Sequence, residues 1–189
     1  MNSMSITQHI PPQAKVDSLE DSWIKAAQQD LSAFEKLYDA NYEAIFRYAY
    51  QRMDSKDDAA DVTAQVFLKA MTNIKKYKFM GLKFSSWLYR IAKSETYQFL
   101  KNKSKSPTIN VETESLANMA QDIDVPIALG NEELIAALSE LNDQELELVE
   151  MRYFEQRNFK EIGEILDMTE NNSKVKTHRV IKKLQNKQK

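Results

Sequence analysis

The scarcity of glycine and proline constrains this chain more than any other feature of its sequence. Only three glycines and four prolines occur in 189 residues. The long stretches between them carry apolar residues at spacings of three and four, which is the period of an amphipathic α-helix. The pattern therefore predicts an all-α fold, and the length suits one large domain or two small ones.

The same composition excludes several kinds of site. The glycines at 81, 130 and 163 stand too far apart to form the phosphate-binding loop of a Rossmann or P-loop protein. There is no cysteine, which excludes disulfide frameworks, zinc ribbons and thiol catalysis. The two histidines, His9 and His178, lie at opposite ends of the chain and do not suggest a metal site or a catalytic triad. We expect no metal, no cofactor and no catalytic residue.

The chain has no apolar run that approaches the ~18 residues of a membrane-spanning helix. Its N-terminus also lacks the basic-then-apolar pattern of a signal peptide. We therefore expect a soluble protein of a reducing compartment, located in the cytoplasm. Both Met1 and Met4 are candidate start residues.

The net charge of -2 hides a strong segregation of charge along the chain. Residues 69–105 carry 10 basic and one acidic side chain, and residues 171–189 carry seven basic and none acidic. In contrast, residues 130–170 carry 12 acidic and three basic side chains. Two basic clusters in an otherwise acidic chain indicate a polyanionic partner, and nucleic acid is the obvious one. We expect the acidic segments to compete with that partner in the free protein.

Changes in composition divide the chain into four segments. Residues 1–18, with Pro11 and Pro12, are predicted to be a disordered tail. Residues 19–105 form a first helical domain, and residues 130–189 form a second one with four short helices. Between them, residues 106–129 lose the helical period and are predicted to be a flexible acidic linker.

The end of the chain has the pattern of a helix-turn-helix. A first helix over Lys160 to Leu166 precedes Asp167, a residue type that tolerates the left-handed backbone of such a turn. Thr169 is a good N-cap for the next helix, and Glu170 suits the dipole of its first turn. The second helix has polar and basic side chains but no acid, which suits base edges and phosphates in a major groove. Its candidate DNA-binding residues are Asn171, Asn172, Ser173, Lys174, Lys176, Thr177, Arg179, Lys182 and Lys183.

The alternative interpretation of this segment is a solvated, lysine-rich terminal helix. The capped helix before it and the absence of acids favour DNA binding. Val175 is assigned to the apolar stripe of the helix, together with Val180, Ile181 and Leu184. The lone histidine, His178, fits a surface or phosphate-facing position.

A second basic pattern lies in the first domain, where cations alternate with aromatic rings. Cations bind phosphates and exposed rings stack on unpaired bases, so the pattern favours single-stranded nucleic acid. Arg90, Lys93, Tyr97 and Lys101 recur at a spacing that places them on one helix face. The candidate residues of this site are Lys75, Tyr77, Lys83, Phe84, Trp87, Arg90, Lys93, Tyr97 and Lys101.

The alternative for this site is an ordinary core with lysines around it. For Phe84 and Leu88 the residue types favour the core. For Tyr77, Lys83 and Trp87 the core and the nucleic-acid surface remain equally open.

The segment from Asp57 to Phe67 begins with acids and continues as an amphipathic helix. Paired carboxylates invite a metal or acid–base interpretation. Since there is no histidine nearby, their position at a helix start is better explained by the helix dipole. A protein-contact surface is the functional alternative.

Three stretches of the sequence resemble motifs of one known family. They are D-A-A-D-V-T-A-Q-V-F-L-K-A from Asp58, F-S-S-W-L-Y-R-I-A-K from Phe84, and F-K-E-I-G-E-I-L-D-M-T-E-N-N-S-K-V-K-T-H-R-V-I-K-K-L from Phe159. In this order and at these separations they resemble a sigma-70 family RNA polymerase sigma factor of the small extracytoplasmic-function (ECF) type. The resemblance covers about residues 20 to 186, including the position of the linker.

The resemblance implies two helical domains and a subunit that directs promoter-specific transcription initiation. It implies that core RNA polymerase and promoter DNA are partners, and many family members also have an anti-sigma factor. The second motif would hold the melted -10 strand, and the helix-turn-helix would bind the -35 duplex. The first motif would meet the polymerase through Asp58, Asp61, Gln65 and Phe67.

The sequence departs from the family pattern at four positions. Ser173 stands where the family usually has an apolar residue and Thr177 where it usually has leucine, which bears on how the recognition helix is seated. Ser94 replaces a usual asparagine, and Ala64 lies in a motif where Gln-Glu-Val is commoner.

Two other classes of protein remain as alternatives. The first is a helix-turn-helix regulator with an N-terminal helical sensor or dimerisation domain, which predicts one duplex-binding element rather than two. The second is a helical interaction protein with no nucleic-acid role, which would not require the segregation of charge.

Overall fold

The computed structural model describes residues 12–53, 55–79, 82–103 and 131–186. Within these ranges the regular elements are all helices, and no β-strand occurs. The all-α prediction is therefore confirmed. The predicted linker at 106–129 lies outside the described residues.

The described residues of the first domain form four α-helices. Helix α1 spans Pro12–Gln29, α2 spans Glu35–Tyr50, α3 spans Lys56–Asn73 and α4 spans Phe84–Asn102. Short 3-10 turns at Leu31–Phe34 and Ile74–Lys76 precede α2 and follow α3. Ser55 caps α3 by accepting a hydrogen bond from the Asp58 backbone N–H at 3.1 Å.

The start of α1 corrects the prediction of a disordered tail over residues 1–18. Residues 12–18 belong to the helix, which begins at Pro12. Proline is favoured at the first position of a helix because its fixed φ suits the helix and its missing N–H would have no intrahelical partner there. Residues 1–11 lie outside the described part of the chain.

Residues 131–186, the described part of the second domain, form four further helices, as expected. They are α5 at Asn131–Ser139, α6 at Asp143–Val149, α7 at Phe159–Ile165 and α8 at Glu170–Asn186. Asn142 and Asn158 each begin a helix with a complete capping box, in which a glutamate three residues later returns the hydrogen bond. A π-helical turn at Glu150–Phe154 extends α6.

Both domains bury apolar side chains, and these belong to one continuous cluster. In the first domain Leu37, Tyr48, Phe84, Leu88 and Tyr89 are fully buried where α2, α3 and α4 meet. In the second, the fully buried side chains are Leu138, Leu148, Met151, Ile162 and Leu184. The two domains also touch, because α4 packs against α7, and polar side chains in and just after α2 meet residues in and just after the π-helical turn.

The turn of the helix-turn-helix has the predicted left-handed residue. Asp167 has φ 55°, and the Met168 N–H donates back to the Gly163 carbonyl at 2.8 Å. This is the Schellman arrangement that ends many helices. Gly163 is required by packing, since a Cβ atom there would lie 2.7 Å from the Met168 carbonyl oxygen.

Candidate nucleic-acid and polymerase surfaces

An open groove of about 720 Å³ lies on the first domain between the end of α3 and the start of α4. Gln28 of α1 holds its floor by donating two hydrogen bonds, to the carbonyl oxygens of Ile74 at 3.1 Å and Tyr77 at 2.9 Å. Glu20, also on α1, accepts a hydrogen bond from the first N–H of α4 at 3.1 Å. Helix α1 therefore fixes both segments that form the groove.

Four of the predicted single-strand contacts line this groove: Tyr77, Lys83, Trp87 and Arg90. The Trp87 ring lies 4.9 Å from the Tyr77 ring and is half-buried, so one part of it packs in the domain and another faces the groove. Burial raises the pKa of Tyr77 to about 12, with a further contribution from the negative charges of Glu20 and Asp21.

The prediction that Phe84 contacts nucleic acid is wrong. Its side chain is 0% exposed and packs under the groove against Phe34, Tyr77 and Trp87, at ring separations of 6.4, 5.4 and 5.3 Å. It supports the Trp87 ring from below and cannot reach a strand in the groove.

The remaining predicted contacts of the first domain lie outside the groove or at its edge. Lys75, Tyr97 and Lys101 are exposed but do not line it. Lys93, and Arg90 at the edge of the groove, pair with carboxylates of the second domain. The Arg90 Nη1 atom lies 2.9 Å from a Glu164 oxygen, and the Lys93 Nζ atom lies 3.0 Å from a Glu147 oxygen.

The recognition helix, α8, presents a polar and basic face to solvent. The exposed members of the predicted set are Asn171, Asn172, Lys174, Arg179, Lys182 and Lys183. Thr169 caps the helix as predicted, accepting a hydrogen bond from the Asn172 N–H at 3.2 Å.

The prediction that Ser173 and Thr177 contact DNA is wrong, because their exposed fractions are 0% and 1%. The Ser173 hydroxyl donates to the carbonyl of Phe159 on α7 at 2.7 Å. Thr177 donates to the carbonyl of Ser173 at 2.8 Å. Both buried hydroxyls therefore have acceptors. The Ser173 bond joins α8 to α7, whereas the Thr177 bond lies within α8.

Two lysines of the set also reach α6. Lys176 donates to Gln144 at 2.9 Å, and Lys183 pairs with Glu145 at 2.8 Å. Conversely, Val175 was assigned to the apolar stripe but is 38% exposed on the outer face. An exposed apolar group on a recognition helix suits contact with a thymine methyl group. The sequence feature that could have indicated a DNA contact at Val175 is that it follows Lys174, a predicted DNA-binding residue.

The predicted polymerase-binding residues lie along α3. Asp61 and Gln65 are exposed, whereas Asp58 is half-buried and pairs with Lys103 at 2.5 Å. Phe67 is buried, and its ring lies 4.6 Å from that of Tyr38, so it is corrected from a contact residue to a packing residue. Beside it, α2 carries a row of rings from Tyr38 through Tyr42 and Phe46 to Tyr50.

A cluster of charged side chains lies where the two domains meet, and its members could not be predicted from the sequence. Arg52, in the turn after α2, donates to both oxygens of Glu150, at 3.2 and 2.5 Å, and its side chain is 2% exposed. Tyr48 donates to Glu147 at 3.1 Å, and Arg47 pairs with Glu155 at 2.8 Å. Burial alone would lower the pKa of Arg52, but the charge of Glu150 raises it above its ordinary value, so Arg52 stays charged. Only the acidic excess of residues 130–170 hinted at such a partner.

Among the described residues, no group of three or more acidic or histidine side chains could hold a metal ion. No helix in the described ranges is both long and apolar enough to cross a membrane.

Comparison with known families matches both domains. A model of Sigma-70 region 2 matches residues 37–106, and a model of Sigma-70, region 4 matches residues 131–184. These ranges contain the groove and the recognition helix respectively. The chain belongs to the sigma-70 family of RNA polymerase sigma factors, in its extracytoplasmic-function (ECF) subfamily.

Two curated relatives are consistent with this membership. The ECF RNA polymerase sigma factor BldN of Streptomyces coelicolor is 27% identical over 163 residues, which cover 85% of this chain and 62% of BldN. The chain thus spans less than two thirds of the length of BldN. The ECF RNA polymerase sigma factor SigW of Bacillus subtilis is 27% identical over 168 residues, covering 82% of this chain and 88% of SigW.

Two solved structures share the fold. CnrH, in complex with the cytosolic domain of CnrY, has a TM-score of 0.62 at 15% identity, covering 87% of this chain and 94% of that one. RpoE from Bartonella quintana, in complex with the anti-sigma factor NepR, has a TM-score of 0.57 at 17% identity, covering 82% and 96%.

Proposed function

We propose that the chain acts as a dissociable subunit of RNA polymerase that directs transcription initiation at promoters with -10 and -35 elements. The observation that carries the proposal is the presence of two basic surfaces with different chemistry on two domains. One is a groove with rings and cations, and the other is the outer face of a capped recognition helix. An ordinary helix-turn-helix regulator needs only the second.

The start of α3 is the proposed polymerase surface. Asp61 and Gln65 are exposed on it and can bind a partner without loss of core packing. Asp58 adds a carboxylate that Lys103 holds in place. Phe67 supports this surface from inside.

The groove is the proposed site for the melted -10 strand. Lys83 and Arg90 supply positive charge for phosphates, and Trp87 and Tyr77 supply rings for unpaired bases. Stacking on a ring becomes available to a base only after the base pair opens, so the groove suits strand opening rather than duplex binding. Lys75, Lys93, Tyr97 and Lys101 extend the positive and aromatic surface beyond the groove.

The outer face of α8 is the proposed -35 site. Asn171, Asn172 and Lys174 lie in the first turns, where side chains of a recognition helix reach base edges. Arg179 and Lys182 follow on the exposed side and suit phosphates of the DNA backbone.

This role requires no catalytic residue and no cofactor in the chain itself, because the polymerase performs the chemistry. Core RNA polymerase and promoter DNA are the proposed partners, and the cytoplasm is the proposed location. An anti-sigma factor is a further proposed partner, since RpoE of the same fold was solved in complex with one.

Size-exclusion chromatography with core RNA polymerase tests the proposal. We expect the purified chain to co-elute with the core enzyme and to direct transcripts from a defined start at its promoter. Duplex DNA binding without co-elution would favour the helix-turn-helix regulator instead.

A further inference from the structure

Helix α1 contacts both ends of the connection between α3 and α4, which supplies part of the groove lining. Gln28 meets the first end of this connection and Glu20 meets the second. Both side chains are half-buried, and their separation along the helix is about 12 Å. The match to Sigma-70 region 2 begins at residue 37 and therefore does not include α1.

Gln28 holds the point at which the chain leaves the 3-10 turn after α3. The Tyr77 N–H closes that turn on the Ile74 carbonyl at 3.0 Å, and Tyr77 itself has an extended backbone, with φ -63° and ψ 131°. The side-chain amide of Gln28 donates one hydrogen to the carbonyl of Ile74 and the other to that of Tyr77. Because the Tyr77 backbone is held in this way, its ring stays packed against Trp87 at 4.9 Å.

Glu20 caps α4 from a different helix. Within the described residues, the N-cap residue of α4, Lys83, provides no side-chain hydrogen bond to the start of the helix. The Glu20 carboxylate accepts from the Phe84 N–H at 3.1 Å instead, and the helix dipole favours a negative charge at this end. This cap fixes where α4 begins, and with it the positions of Lys83 and Trp87 at the groove.

A strand in the groove would meet rings and cations from two different elements. Tyr77 ends the 3-10 turn, whereas Lys83 and Trp87 belong to the start of α4. A binding site works well when supporting hydrogen bonds hold its groups within about 0.5 Å of the productive geometry. Helix α1 supplies such hydrogen bonds to both elements.

We propose that α1 positions the groove for the unpaired -10 strand, with Gln28 and Glu20 as its positioning residues. Gln28 acts through the Tyr77 carbonyl, and Glu20 acts through the first turn of α4. The positioning itself rests on the hydrogen bonds of α1. Its effect on strand capture rests on the proposed function of the groove.

Fluorescence of Trp87 tests the positioning in the full-length protein without DNA or polymerase. The chain has two tryptophans, so Trp23→Phe leaves Trp87 as the single reporter. In this background, Gln28→Glu puts a carboxylate oxygen where an amide donated to two carbonyls, so the Tyr77 ring should move away from Trp87. We expect a larger acrylamide quenching constant for Gln28→Glu, and no change for Gln29→Glu, the same substitution at the exposed next position. Equal quenching in all three proteins would overturn the proposal.

A promoter whose -10 segment is held unpaired by mismatches measures strand capture separately from melting. With core polymerase, we expect the Gln28→Glu complex to dissociate about tenfold faster than the wild-type complex, which corresponds to the loss of one stacked base. The Gln29→Glu complex should dissociate as the wild type does. Co-elution with core polymerase and the circular dichroism spectrum should be the same for all three proteins.

The failures of the two proposals differ in this experiment. If the wild type directs transcription and Gln28→Glu releases the strand at the wild-type rate, the positioning role is overturned while the proposed function stands. If Gln28→Glu loses co-elution in proportion to strand capture, α1 serves the fold as a whole and the positioning role is again overturned. If no form of the protein directs transcription, the proposed function fails, whatever Trp87 reports.

A second pair of variants keeps the test valid if Gln28→Glu fails to fold. Glu20→Gln keeps a side-chain oxygen that can accept from the Phe84 N–H, whereas Glu20→Ala removes it. We expect Glu20→Ala to release the mismatched promoter faster and Glu20→Gln to hold it nearly as the wild type does. Equal dissociation rates for the two Glu20 variants would overturn the proposal.

Discussion

At the scale of single residues, polar and small side chains at a few positions decide how the proposed surfaces are built. Ser173 and Thr177 lie on the buried face of the recognition helix, and their hydroxyls donate to backbone carbonyls. Gly163 lets the turn of the helix-turn-helix close against α7. Phe84 is buried so that Trp87 can sit above it at the groove.

Gly163→Ala is expected to destabilise the second domain. Its Cβ atom would lie 2.7 Å from the Met168 carbonyl oxygen, a backbone atom that cannot move aside without opening the turn. Overpacking of this kind costs about 1–3 kcal/mol. Thermal unfolding should show a lowered midpoint, whereas Lys160→Ala on the exposed side of the same helix should leave it nearly unchanged. An unchanged midpoint for Gly163→Ala would mean that the turn is looser than described.

Asp61→Arg is expected to weaken binding to core polymerase while leaving the helical fold intact. Asp61 is exposed on α3, so reversal of its charge removes a partner contact and little packing. Co-elution with core polymerase measures the effect, and circular dichroism measures helicity. Asp39→Arg, at an exposed acid of α2, is the matched control. If helicity and polymerase binding fall together, Asp61 serves the fold rather than the partner.

At the scale of elements, the helices and their ends could be predicted from the sequence, whereas the residues that form their buried faces could be predicted less well. The left-handed Asp167, the Thr169 cap and the all-α fold followed from local rules of turn and cap chemistry. The burial of Ser173 and Thr177 and the exposure of Val175 did not, because burial depends on how α8 rotates against α6 and α7. A polar residue type does not reveal which side of a helix meets a neighbour.

A pair of lysine substitutions distinguishes the solvent-exposed face of the recognition helix from the face that contacts α6. Lys174 is exposed, whereas Lys176 is held by Gln144 of α6. Lys174→Ala should therefore weaken binding to -35 duplex by about 1–3 kcal/mol if it removes a bidentate base contact. Lys176→Ala should have a smaller effect. Gel-shift titration with polymerase-bound protein measures both, and a larger loss for Lys176→Ala would mean that the helix binds DNA with its other face.

At the scale of the whole molecule, the segregation of charge links the two basic surfaces to the acidic residues between them. The sequence predicted two basic clusters and competition from the acidic segments. It did not predict which carboxylates would meet which cations, because Arg52 and Glu150 are 98 residues apart and are brought together only by the packing of the domains. Such long-range pairs leave no local period in a sequence.

Affinity for promoter DNA is expected to fall steeply as salt rises. Binding of cations to phosphates releases counterions, so the logarithm of the binding constant should fall linearly with the logarithm of salt concentration. Replacement of the exposed Lys182 by alanine should reduce that slope by about one unit if it binds one phosphate. Fluorescence anisotropy over a salt series measures the slope, and an affinity independent of salt would exclude phosphate contacts as the main source of binding.

Permanganate reactivity of promoter thymines tests the central claim most directly, because it reports strand opening, which a duplex-binding regulator does not require. With core polymerase and the wild-type chain, we expect the thymines of the -10 element to become reactive. With Lys83→Ala they should be less reactive at equal promoter occupancy, because a cation at the groove is lost, whereas Lys174→Ala should mainly reduce occupancy. Occupied promoters whose -10 thymines stay unreactive with the wild-type chain would contradict the account and favour the helix-turn-helix regulator.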